Sequence, residues 1–294
     1  MKQLAIIGPT ASGKSDLAIS VAKKLDAYIL SIDSLSIYKE IDIVSAKPNK
    51  EELAEVKHFG IDLLSPDEYF SVDIFISLYK KVLASCQEDS KNLIIVGGTS
   101  FYLKSLMQGL SPLPKITKEI VVHVEDELKN LDKAYALLQK IDKEYMKNIS
   151  HNDRYRIEKA LLIFRASTIT PSQWFKQNPP KPIIKDLEIY NIEVQREVLR
   201  ERISKRTDKM LEMGLIDEVC YLEQKYTRSP HAMNSIGIVE VLQYLDLKLS
   251  LDEMVLNIST HTAQLAKRQQ TFNRTQFENV IDAPLEKLLS KENW

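Results

Sequence analysis

Residues 6–18 read Ile6-Ile7-Gly8-Pro9-Thr10-Ala11-Ser12-Gly13-Lys14-Ser15-Asp16-Leu17-Ala18. An apolar run breaks into glycine and small residues, then a lysine, then a helical pattern. Gly8 to Ser15 match G-x(4)-G-K-[ST] in full. In such a loop the glycines let backbone N–H groups turn inward, and the following helix N-terminus adds partial positive charge. The lysine reaches the outer phosphate oxygens. The cradle is therefore Gly8, Pro9, Thr10, Ala11, Ser12, Gly13, Lys14 and Ser15, with the Ser15 hydroxyl placed to hold Mg²⁺. This pattern is typical of nucleotide-binding, ATP-binding proteins. It serves equally for a compound that leaves as a diphosphate.

Outward from this loop the spacing predicts strands over Leu4–Gly8, Tyr28–Asp33 and Asn92–Val96, and helices over Lys14–Leu25 and Val72–Ala84. Strands separated by helices imply an α/β fold with a mostly parallel, P-loop NTPase-like sheet. Ligands in such sheets sit outside the carboxyl ends of the strands. The P-loop, Asp33 and Thr99 all fall at such ends. Composition changes at Ser111-Pro112-Leu113-Pro114. Residues 115–185 then read as a helical insertion, with helices over Glu119–Asn130, Ala134–Ile141 and Asp153–Ala166. Residues 1–114 and 186–294 form the core, with a strand over Leu187–Val194, a charged helix over Glu197–Met213 and helical structure to about Phe272.

The bulk numbers narrow the function classes. Of 294 residues, 44% are hydrophobic and 28% charged, as in an ordinary soluble globular protein. Forty Lys and Arg against 41 Asp and Glu leave a net charge of −1, so any nucleic-acid surface must be local. Cys86 and Cys220 sit in no CxxC or Cys/His cluster and read as thiols in a reducing cytoplasm. The chain runs straight into its first strand, leaving no room for a signal peptide. No apolar run is long enough for a membrane span.

The third strand ends in Gly97-Gly98-Thr99 rather than in a Walker B acid. The acid stands on the second strand, as Asp33. Three roles fit it: a metal-side or base carboxylate in a small kinase, a base in another transfer, or an N-cap for the turn that follows. The charged helix around Arg206 alternates Arg and Lys with Glu and Asp, which fits a solvated face as well as an anion site. Residues 255–277 contain no acid but hold His261, Lys267, Arg268 and Arg274 with Phe272 and Phe277 interleaved, a pattern suited to RNA or to a basic helix end.

Six stretches carry a resemblance: GPTASGKS, SIDSLSIYKEIDIVSAKP, VGGTSFYLKSLMQGLSPLP, NDRYRIEKAL, KMLEMGLIDEV and QLAKRQQTF. In this order they span nearly the whole chain, and together they resemble the bacterial tRNA dimethylallyltransferases of the tRNA isopentenyltransferase family. The resemblance implies transfer of a dimethylallyl group from dimethylallyl diphosphate to N6 of adenine 37, beside the tRNA anticodon, with Mg²⁺ and with the P-loop on the donor's diphosphate. It implies catalytic roles for Asp33, Thr99 and Arg206. It also implies tRNA contacts at Asp33, Ser34, Leu35, Ser36, Thr99, Val121, Tyr155, Arg156, Ile157, Glu158, Lys159, Lys267 and Arg268. The expected partner is the anticodon stem-loop, and the expected form is a cytoplasmic monomer. Val121 stands near where the family has an arginine, and Val44-Ser45 stand where Gly-Thr is usual. The rivals are prenylation of free adenine nucleotides, a small-molecule kinase and a nucleotide-gated RNA-binding module.

Overall fold

The structure, a computed structural model, describes residues 1–294. It divides into two compact units, residues 1–104 with 185–294, and residues 105–184.

The first unit begins with β1 (Gln3–Ile7), α1 (Lys14–Leu25), β2 (Ala27–Ser31), α2 (Lys50–Glu55) and β3 (His58–Phe59). Helix α3 (Val72–Glu88), β4 (Asn92–Gly97) and α4 (Ser100–Gln108) follow, the division falling within α4. The second unit holds α5 (Lys118–Glu127), α6 (Leu131–Ile141), α7 (Lys143–Met146), α8 (Arg154–Ser167) and α9 (Pro171–Gln177). The chain then returns with β5 (Glu188–Glu193), α10 (Arg196–Glu212), α11 (Leu215–Tyr226), α12 (Ile238–Leu245), α13 (Leu251–Gln276), β6 (Val280–Pro284) and α14 (Leu285–Leu289).

The six strands form one sheet in the order β3-β2-β4-β1-β5-β6, and every pairing is parallel. Leu4, Ile6, Ile29, Ile94, Tyr190 and Ile192 bury one face against Leu17, Ala18, Val21 and Ala22 of α1. The alternate residues Ala5, Ile7, Leu30, Leu93, Ile95 and Ile189 are also buried. Strands covered on both faces read as continuous apolar runs, which is why β1, β2, β4 and β5 were legible. Two strands were not. β3 has only two residues, and β6 carries Asp282 and Pro284 at the sheet edge, where polar residues and proline are tolerated.

The helical unit begins at residue 105, ahead of the proline cluster that marks it in the sequence. Ile183 and Ile184 N–H donate to the Leu106 carbonyl, so the segment after residue 104 is held by the returning chain. Its core is Val124, Leu128, Leu138, Ile157, Ala160 and Leu161 with their neighbours. Both cysteines are free. No helix is long and apolar enough to cross a membrane.

Candidate active site

The sheet order brings three chain segments together. β4 lies between β2 and β1, so Gly97-Gly98-Thr99 sits between Asp33 on one side and the P-loop on the other. Two glycines at the central strand end leave no side chain between them.

The P-loop is built as the sequence demands. Gly13 adopts φ +87°, a left-handed conformation that glycine enters without steric cost, and it begins α1 with no side-chain cap. The first N–H groups of α1 are therefore left for an anion. Ser12 Oγ is buried and has no hydrogen-bond partner, a second unfilled polar group in the cradle. Lys14 Nζ donates to the Pro9 carbonyl at 2.6 Å, which holds the ammonium over the loop.

Asp33 reconciles two of its readings. Oδ1 accepts the N–H groups of Leu35 at 2.8 Å and Ser36 at 3.1 Å, so it caps the turn. Oδ2 accepts no hydrogen bond and remains available for chemistry. Thr99 Oγ1 accepts the Ser34 N–H at 3.3 Å, which joins the ends of β2 and β4.

The P-loop, Asp33 and Arg206 line one cavity of about 270 Å³. Burial lowers the Lys14 pKa to about 8; Asp33 opposes that shift and Arg206 reinforces it. Burial also lowers the Arg206 pKa, with Asp33 opposing. Arg206 makes no ion pair and lines the cavity rather than standing on a solvated helix face. The cavity lining thus combines Lys14, Arg206 and a helix N-terminus with the carboxylates of Asp16 and Asp33. Its remaining wall includes apolar atoms of Ala46, Pro48, Ile61 and Val96.

Lys47 also borders this cavity, yet it is not an anion ligand. Its ammonium donates to the Tyr38 carbonyl, Asp42 and Asp62, each at 2.6 Å. An ammonium has three donors and all are used. Lys47 pins the loop instead. Glu218 of α11 pins the same loop by accepting the N–H groups of Asp42, Ile43 and Val44 at 2.7–3.0 Å. Sequence reasoning missed Glu218, because nothing local marks a carboxylate that reaches a loop more than 170 residues away. Gln269 was missed too, being an uncharged residue beside the basic Lys267-Arg268 pair.

Several residues expected on an RNA surface are placed otherwise. Ile157 is wholly buried in the helical core, as its spacing with Ala160 and Leu161 demands, and cannot touch RNA. Ser36 is buried, with Oγ 3.2 Å from Ser31 Oγ, and Leu35 packs into a hydrophobic cluster; of residues 34–36 only Ser34 is exposed. Arg154, just ahead of residues 155–159 on α8, donates to the Leu128 carbonyl at 2.9 Å and closes the end of α5. Within the helical unit, Tyr155, Arg156 and Val121 are exposed. Glu158 and Lys159 are half-buried, and the Lys159 ammonium lies over the Tyr155 ring. Lys267 and Arg268 are exposed on α13 and form no ion pair.

Residues 36–276 match the family model described as IPP transferase. The chain belongs to the IPP transferase family. A tRNA dimethylallyltransferase of Sulfurimonas denitrificans is 71% identical over 288 residues, covering 98% of this chain and 97% of that protein. One of Helicobacter pylori is 43% identical over 279 residues, covering 95% of this chain and 89% of that protein. Among solved structures, a eukaryotic dimethylallyltransferase acting on tRNA superposes with a TM-score of 0.85 at 25% identity, covering 98% of this chain and 75% of that chain. The full-length tRNA isopentenylpyrophosphate transferase of Bacillus halodurans gives 0.71 at 29% identity, covering 98% and 93%. The sheet of this IPP transferase is wholly parallel, where the sequence implied a mostly parallel one.

Proposed function

We propose that this chain transfers a dimethylallyl group from dimethylallyl diphosphate to N6 of the adenine beside the tRNA anticodon. The observation that carries the reading is the single cavity lined by Asp33, whose Oδ2 accepts no hydrogen bond, together with Lys14, Arg206 and the open N-terminus of α1.

The chemistry needs that polarity. The adenine amine is a weak nucleophile, since its lone pair is delocalised into the ring. As N6 attacks the allylic carbon, the C–O bond to the diphosphate breaks and N6 must lose a proton. Asp33 Oδ2 takes the proton; such help is worth about 10²–10⁴ in rate. Negative charge grows on the departing oxygen, where Lys14, Arg206 and the Thr99 hydroxyl meet it. Charge-assisted hydrogen bonds contribute about 1.5–3 kcal/mol each. The apolar wall of Ala46, Pro48 and Ile61 gives the five-carbon group a dry surface.

No group of three or more His, Cys, Asp and Glu side chains stands ready to hold a metal ion. The cavity lining offers hydroxyls, Ser15 among them, but only two carboxylates, Asp16 and Asp33. That sparse donor set suits Mg²⁺ carried mainly by substrate phosphates and water, with Ser15 as the protein ligand. When bound, the ion neutralises charge on the leaving diphosphate.

Extruding the target base from the anticodon loop costs a few kcal/mol, offset by contacts in the pocket and along the RNA. Lys267, Arg268 and Ser34, with Val121, Tyr155, Arg156, Glu158 and Lys159 of the helical unit, are the RNA-facing residues of this reading. Incubation with dimethylallyl diphosphate, Mg²⁺ and unmodified tRNA, followed by nucleoside mass analysis, tests it. The expected result is N6-isopentenyladenosine in tRNA without any nucleotide triphosphate. Product on free adenosine monophosphate alone, or phosphate transfer from ATP, would overturn it.

A further inference from the structure

Gln269 stands on α13, outside the P-loop and the strand ends, yet it touches two of the turns that bound the cavity. Its Oε1 accepts the Thr10 backbone N–H at 2.8 Å and the Thr10 hydroxyl at 3.2 Å. A backbone N–H can only donate, so the amide oxygen must face Thr10 and the NH₂ must face away. That places Nε2 against Gly98. A methyl group built on Gly98 would overlap the Gln269 amide nitrogen, and the nearest atoms around it all belong to Gln269. Gly98 does not have positive φ, so it is room for Gln269, not backbone freedom, that calls for glycine there. The next residue is Thr99.

Gln269 is not needed to dock its helix. Gln270 donates to the Val194 carbonyl at 3.4 Å, Asn273 donates to Asn191 Oδ1 at 3.0 Å, and Lys104 pairs with Gln276. These neighbours hold α13 on the strand ends, while Gln269 turns to the two glycine-rich turns.

We propose that Gln269 is a positioning residue for the transfer reaction. It fixes the first turn of the P-loop at a set distance from Gly98-Thr99, so that a leaving diphosphate meets the loop amides and the Thr99 hydroxyl together. The inference rests on the prenyl-transfer reading of this cavity.

Three variants test it: Gln269→Met, which keeps length and removes both polar groups; Gly98→Ala, which displaces an intact Gln269 amide; and the double variant. Steady-state kinetics with dimethylallyl diphosphate and tRNA are combined with calorimetric binding of inorganic diphosphate and thermal unfolding. Each single variant is expected to raise the donor KM and the diphosphate Kd about five- to tenfold, the scale of one or two hydrogen bonds. The KM for tRNA and the unfolding midpoint stay close to wild type. The double variant is no worse than the worse single one, since both disturb the same pairing. Unchanged diphosphate affinity, additive effects, or a lowered midpoint with an unchanged donor KM would overturn the proposal. A wild-type chain that binds diphosphate but transfers no prenyl group overturns the functional reading instead, and the diphosphate affinities of the variants then still decide the role of Gln269.

Discussion

Asp33 Oδ1 accepts the backbone N–H of Leu35 at 2.8 Å, so the carboxylate is fixed by the turn it caps and its other oxygen is left without a hydrogen bond. As the base of the proposed transfer, a carboxylate held this way has little freedom to swing away. Asp33→Asn keeps an oxygen for the Leu35 and Ser36 amides and removes only basicity. We expect single-turnover prenyl transfer to fall about 10²–10⁴-fold, with tRNA and diphosphate affinities within twofold of wild type. Asp33→Ala removes the cap as well and should also weaken tRNA binding through Ser34.

The Lys14 ammonium gives the donor site a pH dependence. Its pKa in the free chain is lowered to about 8, mainly by burial. The folded state therefore binds fewer protons there than the unfolded chain between about pH 8 and the ordinary lysine range near 10.4. This group alone makes the fold more stable as pH rises through that window, and its cost is fully present below pH 8. Diphosphate needs the charged form, so its affinity should fall as pH rises past 8, and binding near pH 8 should take up protons. Calorimetry in buffers of different ionisation enthalpy measures that uptake; none at pH 8.5 would contradict the assignment.

Lys267 and Arg268 have no partner within the chain, and their charge is available to RNA phosphates. Replacing both with glutamine should raise the tRNA KM about tenfold while leaving the donor KM unchanged. The slope of log K against log salt should shrink by about 0.7–0.9 for each phosphate that is no longer neutralised. An unchanged slope would remove these residues from the RNA surface.

Glu218 accepts three backbone N–H groups from the loop that carries Ala46, Lys47 and Pro48 to the cavity wall. In Glu218→Gln one of the two acceptor atoms becomes a donor that faces another donor. We expect a loss of about 2 kcal/mol of stability, the size of a hydrogen bond to a charged group, and a higher KM for dimethylallyl diphosphate. Denaturant unfolding and kinetics on the same variant check both.

The P-loop was legible because its rule is local. Gly8, Gly13, Lys14 and Ser15 must lie a fixed number of residues apart for one turn to wrap one phosphate, and α1 follows at once. Ile157 was expected at the RNA surface from the resemblance, and its burial with Ala160 and Leu161 in the helical core overturns that expectation. β6 was not legible, because its edge position tolerates Asp282 and Pro284. Gln269 and Glu218 were not legible, because each acts on backbone amides far away in sequence.

By itself, then, the chain determined a phosphate loop, an acid at the end of β2 and a glycine pair at the end of β4. Short-range backbone geometry and apolar periodicity dictate such features without reference to the rest of the molecule. Only the tertiary structure decided that β4 slots between β2 and β1. That order sets the glycine pair between Asp33 and the phosphate loop, and lets α10 and α13 deliver Arg206 and Gln269 to the same place. Strand order follows from which apolar faces bury each other best across the whole sheet, and no stretch of sequence carries that information alone.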